Sequence, residues 1–170
     1  GKAIALGEAA GLAAASKVRS TLTLPPGATS HMDGYVVRAV ELVASERSSW
    51  PRTFRVVGDS LPGAPWTHPM PPGSAVRIMT GALLPEEADR VFPVEDTDGE
   101  SASAGQVRIG GVRADDEPWS VPGRHVRLPG EEVREGELLA APGDTLEFGL
   151  LGLLATSGAG EIVAHPRPRV

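Results

Sequence analysis

The sequence predicts a mainly β fold with short helices, of α+β class: an elongated discontinuous domain with a β-sandwich or barrel-like domain inserted into it. Three observations predict it. First, 21 glycines and 16 prolines fall among 170 residues, and both types break helix interiors, which argues against long bundles and coiled coils. Second, short runs rich in Val, Ile and Phe recur between turn residues, the pattern of a sandwich or barrel. Third, the character of the chain changes along its length, from Ala- and Leu-rich ends to a β-prone middle. The expected boundaries place 1–29 and 122–170 in one domain and 30–121 in the inserted one. Only 4% of residues are aromatic, so the cores must rest on Val, Leu, Ile and Ala.

The elements follow in order. Ala3 to Ala15, rich in Ala and Leu, reads as a short helix leading into an extended piece through Val18. Thr21-Leu22-Thr23-Leu24 alternates as a half-buried strand does, and Pro25-Pro26-Gly27 ends it. Tyr35-Val36-Val37 is β-prone. Thr53 to Val57 is a second candidate of the middle region, closed by Gly58-Asp59. Ala75 to Met79 is a third, closed by Thr80-Gly81. Arg90 to Val94 is a fourth, and Pro93, which has no N–H to donate, puts it at an edge or a bulge. Gln106 to Ile109 is a fifth. In the tail, Glu132 to Leu139 reads as a tight hairpin and Pro142-Gly143 as a turn. Asp144 with Glu147 three residues on is a capping box for a helix through Leu150, Leu151, Leu153 and Leu154 that stops near Gly158. Glu161 to Ala164 is a last strand. His165-Pro166-Arg167-Pro168-Arg169-Val170 has the proline-broken character of an interdomain linker.

Charge and composition exclude several functions. The formal net charge is −6 and the isoelectric point near 5.2; the arginines are scattered, with no basic patch of the kind that grips nucleic acid. The absence of cysteine excludes disulfides, thiolate metal sites and a cysteine nucleophile, and fits a cytoplasmic protein. No apolar run approaches the ~20 residues of a membrane span, and no signal peptide is visible.

Four segments carry candidate chemistry. Ser30-His31-Met32-Asp33-Gly34-Tyr35 puts a carboxylate on a tight turn, where it can bind a hard cation, orient a hydroxyl, or simply bond its own backbone. Arg77-Ile78-Met79-Thr80-Gly81-Ala82 ends a strand with backbone N–H groups and a hydroxyl. This is either an anion cradle or an ordinary strand exit. Glu95-Asp96-Thr97-Asp98, with Glu100, is a carboxylate cluster that suits Mg²⁺ or a solvated loop; Asp115-Asp116-Glu117 is a weaker case of the same kind. Gly123 to Glu137 reads as structural. The histidines, His31, His68, His125 and His165, lack the spacing of a local zinc pair.

Taken in order, these segments resemble the molybdopterin molybdenumtransferase family, the MoeA and gephyrin E-domain group. Leu24-Pro25-Pro26 followed by Ser30-x-Met32-Asp33-Gly34-Tyr35 is similar to the first family block. Gly73-x-Ala75-Val76-Arg77-Ile78-Met79-Thr80-Gly81-Ala82, with Pro85 and Asp89, is similar to the second. Val94-Glu95-Asp96-Thr97 is similar to the third, and Gly123-x-x-Val126-Arg127-x-x-Gly130-Glu131 with Gly136-Glu137 to the fourth. His31 and Val36 stand where small residues are frequent in the family, and His125 where Asn is common.

The resemblance implies an enzyme that transfers molybdenum from molybdate to adenylylated molybdopterin, releasing AMP and completing the molybdenum cofactor, with Mg²⁺ assisting. It implies catalytic roles for Asp33 and Thr80, a metal role for Asp33, and substrate-binding roles for Ser30, Gly81 and Glu95. It also implies a homodimer built by the terminal segments, whose leucine-rich helix is apolar all round. Because the family's pterin-binding domain is absent from these residues, the chain is expected to be the N-terminal part of such an enzyme and inactive alone. The alternative is a non-catalytic dimerisation or protein-interaction scaffold.

Overall fold

The computed structural model describes residues 1–43, 51–99, 105–110 and 122–167. Along the chain the strands are β1 (Lys2–Ala5), β2 (Ala13–Ala14), β3 (Val18–Arg19), β4 (Thr29–Ser30) and β5 (Gly34–Val37). Helix α1 (Val40–Val43) precedes β6 (Arg52–Ser60), β7 (Ser74–Ile78), β8 (Arg90–Pro93), β9 (Gln106–Ile109), β10 (Val126–Arg127) and β11 (Leu138–Ala140). Helix α2 (Phe148–Thr156) and β12 (Glu161–His165) complete the order. The fold is mainly β with few helices. It divides into two compact units, one of residues 1–26 with 129–170 and one of residues 27–128.

The unit of residues 27–128 is built on a five-stranded sheet in the order β8-β5-β7-β6-β9. All neighbours are antiparallel except β6 and β7. Strand alternation sorts the apolar side chains onto two faces. Tyr35, Val37, Phe54, Ala75, Phe92, Val107 and Ile109 form one buried cluster. Val36, Val76, Ile78 and Val91 form the other, with Met70, Ala82 and Ala88. The sheet is curled. The chain after β8 crosses to the opposite edge strand, where Asp98 N–H donates to Arg108 O (3.0 Å) and Gly110 N–H to Asp96 O (2.9 Å). As expected from Pro93, β8 is an edge strand of the named sheet.

Strand β6 runs on to Ser60, past Gly58-Asp59 where the sequence suggested a stop. Its pairing with β7 shifts register between Val56 and Asp59. A β-carbon on Gly58 would lie 2.1 Å from the Trp66 ring, so Gly58 serves as the seat of that indole rather than as a turn. Gly34 is a close approach of the same type. A β-carbon there would lie 1.9 Å from Phe92 O of β8.

The unit of residues 1–26 and 129–170 joins the two ends of the chain. Strand β12 lies between β1 and β2, and β11 pairs with β3. Its core contains Leu6, Ala9, Ala14, Ala140, Leu146, Leu154, Ile162 and Ala164. Three expectations fail here. Ala3 to Ala15 is not a helix: β1 pairs with β12, a short 3₁₀ turn covers Leu6–Glu8, and Gly11 sits at φ 74. Tertiary pairing overrides the helix preference of alanine, a weak local preference. Thr21–Leu24 forms no strand, only an isolated bridge from Leu24 to Val133. Glu132 to Leu139 turns tightly, with Glu137 N–H donating to Arg134 O (3.0 Å), but its arms pair with the N-terminal segment instead of with each other.

Helix α2 stops near Gly158 as expected, with Gly158 at φ 92. Its start is later than the capping box implied. Glu147 is the N-cap and makes no side-chain capping bond. Asp144 instead accepts from Ala141 N–H at 2.7 Å, stabilising the preceding turn. Leu154 is fully buried, and Leu150 and Leu151 pack on the same core. Phe148 at the helix start is 84% exposed. No helix among the described residues is long and apolar enough to cross a membrane.

Candidate functional site

The site forms where β5 begins and β7 ends, at the same end of the sheet. Register pairs Gly34 with Ile78 and Tyr35 with Arg77, so the turn before β5 faces the turn after β7. Each turn has a local cause. Ser30 Oγ accepts from Met32 N–H (3.2 Å) and donates to Met32 O (2.6 Å), which closes the first turn. Gly81 at φ 81 allows the second. Two backbone bonds tie them, Gly81 N–H to Ser30 O (2.8 Å) and Ser30 N–H to Ala82 O (3.0 Å).

Asp33 and Thr80 meet across this joint. Asp33 Oδ1 accepts from Thr80 N–H at 2.8 Å and from Thr80 Oγ1–H at 2.7 Å. These two bonds, the backbone one first, hold the Asp33 carboxyl below its ordinary value of 3.8, and the nearby Arg77 guanidinium adds to the effect. Hydrogen bonds to a carboxylate favour its ionised form. Asp33 is therefore a fixed anion at neutral pH, with Oδ1 engaged by Thr80.

A cleft of about 540 Å³ opens beside the pair, within the range of small-molecule sites. Asp33, Tyr35, Val56, Asp59, Arg77 and Gln106 contribute to its lining. Of the residues singled out from sequence, Ser30, Asp33, Thr80 and Gly81 come together. Asp33 alone of them lines the cleft, and Glu95 neither joins the four nor lines it. It is exposed on the 3₁₀ turn Val94–Asp96, which is held next to the site by Val94 N–H donating to Asp33 O (3.0 Å). Ser30 spends its hydroxyl on its own turn. Glu100 and Asp115-Asp116-Glu117 lie outside the described residues, as do Pro168 to Val170.

Sequence reasoning missed Asp59 and Gln106. Asp59 follows a glycine and read as a turn residue, and Gln106 read as the start of an ordinary strand. Only the adjacency of β6, β7 and β9 brings them to the cleft. The two histidines that depart from the family pattern also prove to be neighbours. His31 N–H donates to His125 O at 2.9 Å, and His125 adopts φ 58. Burial, then Arg124, Arg90 and His31, lower the His125 pKa, while Asp96 opposes the shift.

A curled β sheet with an acidic, threonine-clamped turn beside a cleft defines the class of fold. The comparisons with known proteins narrow the class. The profile of the family described as "MoeA N-terminal region (domain I and II)" matches residues 1–158, and the chain belongs to that family. It is 32% identical to Molybdopterin molybdenumtransferase 1 of Mycobacterium tuberculosis (strain CDC 1551 / Oshkosh) over 98% of this chain and 40% of the relative. It is 33% identical to the Molybdopterin molybdenumtransferase of Haemophilus influenzae, over 97% of this chain and 37% of that protein. Among solved structures, the molybdopterin biosynthesis MoeA protein of Pyrococcus horikoshii superposes with a TM-score of 0.77 at 28% identity, covering 95% of this chain and 38% of that one. The chain thus spans about two fifths of the length of the curated relatives it matches.

Proposed function

We propose that this chain is the N-terminal part of an enzyme that inserts molybdenum from molybdate into adenylylated molybdopterin, releasing AMP and forming molybdenum cofactor. The Asp33–Thr80 clamp carries this reading. It joins the first two family blocks, 47 residues apart, at the edge of a small-molecule cleft. In that reaction Asp33 offers its Oδ2 as a fixed negative charge toward substrate, and Thr80 holds the carboxylate in place. Ser30 and Gly81 shape the joint through their backbone bonds. Glu95 approaches substrate from the neighbouring 3₁₀ turn.

Among the described residues no group of three or more His, Asp or Glu gathers to hold a metal. Mg²⁺ needs no such cage, since it keeps waters and takes one or two carboxylates with substrate phosphates. Asp33 fits as one such ligand. The ion supplies charge neutralisation at substrate phosphate when bound.

The domain reading, 1–29 with 122–170 as the dimerising part and 30–121 as the inserted one, is supported by the compact units, whose limits fall within a few residues at the first junction and seven at the second. We place the protein in the cytoplasm, a reading that the absence of cysteine supports. A scaffold role is favoured by one observation, the exposed Phe148 on α2.

The test compares cofactor formation by the complete protein and by these 170 residues alone. The expected result is turnover in the first and none in the second, where substrate is unheld. Cofactor formation by the isolated chain overturns the expectation of inactivity. A complete protein that forms no cofactor overturns the enzyme reading in favour of the scaffold.

A further inference from the structure

The unit of residues 27–128 carries a second cavity, of about 410 Å³, that shares no lining residue with the cleft beside Asp33. It is a slot between two loops, 65–70 and 83–87. The first loop belongs to a stretch with five prolines from Pro62 to Pro72, and Pro85 lies on the second. Fixed proline φ angles leave both walls little conformational freedom to lose. The walls are also tied together at both ends. Ser60 Oγ accepts from Trp66 N–H (3.1 Å) and donates to Leu83 O (2.7 Å). Met70 N–H donates to Glu87 Oε2 (3.2 Å). The slot is thereby held open, as a preformed site is.

Its surfaces select a type of ligand. Trp66 is seated on Gly58 and meets the His68 ring edge-on, with centroids 5.0 Å apart and planes at 76°. Two rings at this angle make an apolar notch, extended by Leu83, Leu84 and Met70. The Trp66 indole N–H is shielded from solvent and has no acceptor among the described residues, a state that folds avoid. The rim is acidic. Glu87 has the Arg38 guanidinium 4.0 Å away, itself bonded to Glu41. Glu86 is exposed and makes no ion pair or hydrogen bond among the described residues. A ligand matched to the slot has an apolar body, carbonyls that can accept from a donor, and a positive charge at its edge.

A basic proline-rich segment has all three. Polyproline II backbone makes no internal hydrogen bonds, so its carbonyls are free to accept, and its stiff rings dock in aromatic-lined grooves at small entropic cost. We infer that the slot between loops 65–70 and 83–87 binds a proline-rich, arginine- or lysine-flanked peptide of a partner protein, with the prolines in the Trp66–His68 notch and the cation on Glu86. The chain's net charge of −6 favours the approach of such a segment. The inference goes beyond the proposed function and does not depend on it.

The 170-residue chain is titrated with the end-blocked peptide Pro-Pro-Leu-Pro-Pro-Arg-Arg and followed by ¹⁵N NMR. The expected dissociation constant is under about 1 mM, with shifts centred on residues 65–70 and 83–87 and on the Trp66 indole N–H. The same peptide ending in Glu-Glu is expected to bind at least about tenfold more weakly. Glu86→Lys, a change at an exposed side chain with no bond to lose, is expected to weaken the arginine peptide about tenfold and to narrow the gap between the two peptides. Trp66→Phe, which removes the N–H and part of the notch, is expected to weaken it about fivefold. Should Trp66→Phe fail to fold, Glu86→Lys is read alone. No shift in the two loops at about 5 mM peptide overturns the inference. So does equal binding of the two peptides, or a folded variant of either residue with unchanged affinity. Free arginine binding as tightly as the peptide also overturns it, and assigns the slot to small cations.

Discussion

At the residue scale, the decisive contact is the double hydrogen bond from Thr80 to Asp33 Oδ1. Thr80→Val keeps the shape and the N–H but removes the hydroxyl, so the Asp33 carboxyl should titrate nearer its ordinary value of 3.8, as followed by carbon-detected NMR. The sign is that of a depressed carboxyl. Its stabilising contribution is present above 3.8 and is lost as pH falls through the lower folded value. Asp33→Asn in the complete enzyme should cost about 100-fold or more in turnover with little change in melting midpoint, because the residue is exposed and its backbone turn is closed by Ser30. Near-normal turnover would reduce Asp33 to a turn residue. His125 has a dependence of the same sign in a higher pH window. Its lowered pKa means the unfolded chain takes up a proton first, so stability falls as pH drops through 6.5 toward the folded value. His125→Asn should flatten that slope in denaturation measured from pH 7 to 5, while tolerating φ 58, because Asn accepts the left-handed region better than most residues.

At the scale of elements, one glycine determines how closely two strands approach. Gly34→Ala drives a β-carbon into Phe92 O of the edge strand β8. Backbone cannot move aside as a flexible side chain can, so the change should cost about 3 kcal/mol in chemical denaturation and loosen the Asp33 turn that β5 begins. Helix α2 shows the same logic in an apolar setting. Leu154 is fully buried among Leu6, Leu146 and Ile162, and Leu154→Ala should cost about 2–5 kcal/mol through lost burial and the cavity left behind. Leu150 and Leu151 also pack on this core. They close their own unit, and the apolar surface left over on the helix centres on Phe148.

For the whole molecule, that exposed Phe148 now supports the dimer. A phenylalanine 84% exposed is the sort of apolar feature that marks an interface when neighbours extend it. Gly149 and Gly152 on the same helix are exposed too and would let a partner approach closely. Light scattering at micromolar concentration should give about twice 17.6 kDa, and Phe148→Asp should return the mass to that of one chain. A single-chain mass for the unmodified protein refutes the dimer.

Amino-acid order alone carried most of the turns, the mainly β class and the four motif blocks. Glycine, proline and β-branched runs act locally, so Gly81, Gly158 and the strands at Tyr35, Ala75 and Gln106 were legible without a neighbour. The candidate pair was legible too, as Asp33 on a turn and Thr80 at a strand exit. Tertiary structure decided that the two touch, because their 47-residue separation is closed only by the register of β5 with β7. It also decided that Ala3–Ala15 is strand and turn, since β12 offers a ladder that outweighs alanine's small helix preference. The nearness of Asp59 to Arg77 has the same origin, since the two lie 18 residues apart and only the parallel pairing of β6 with β7 sets them side by side.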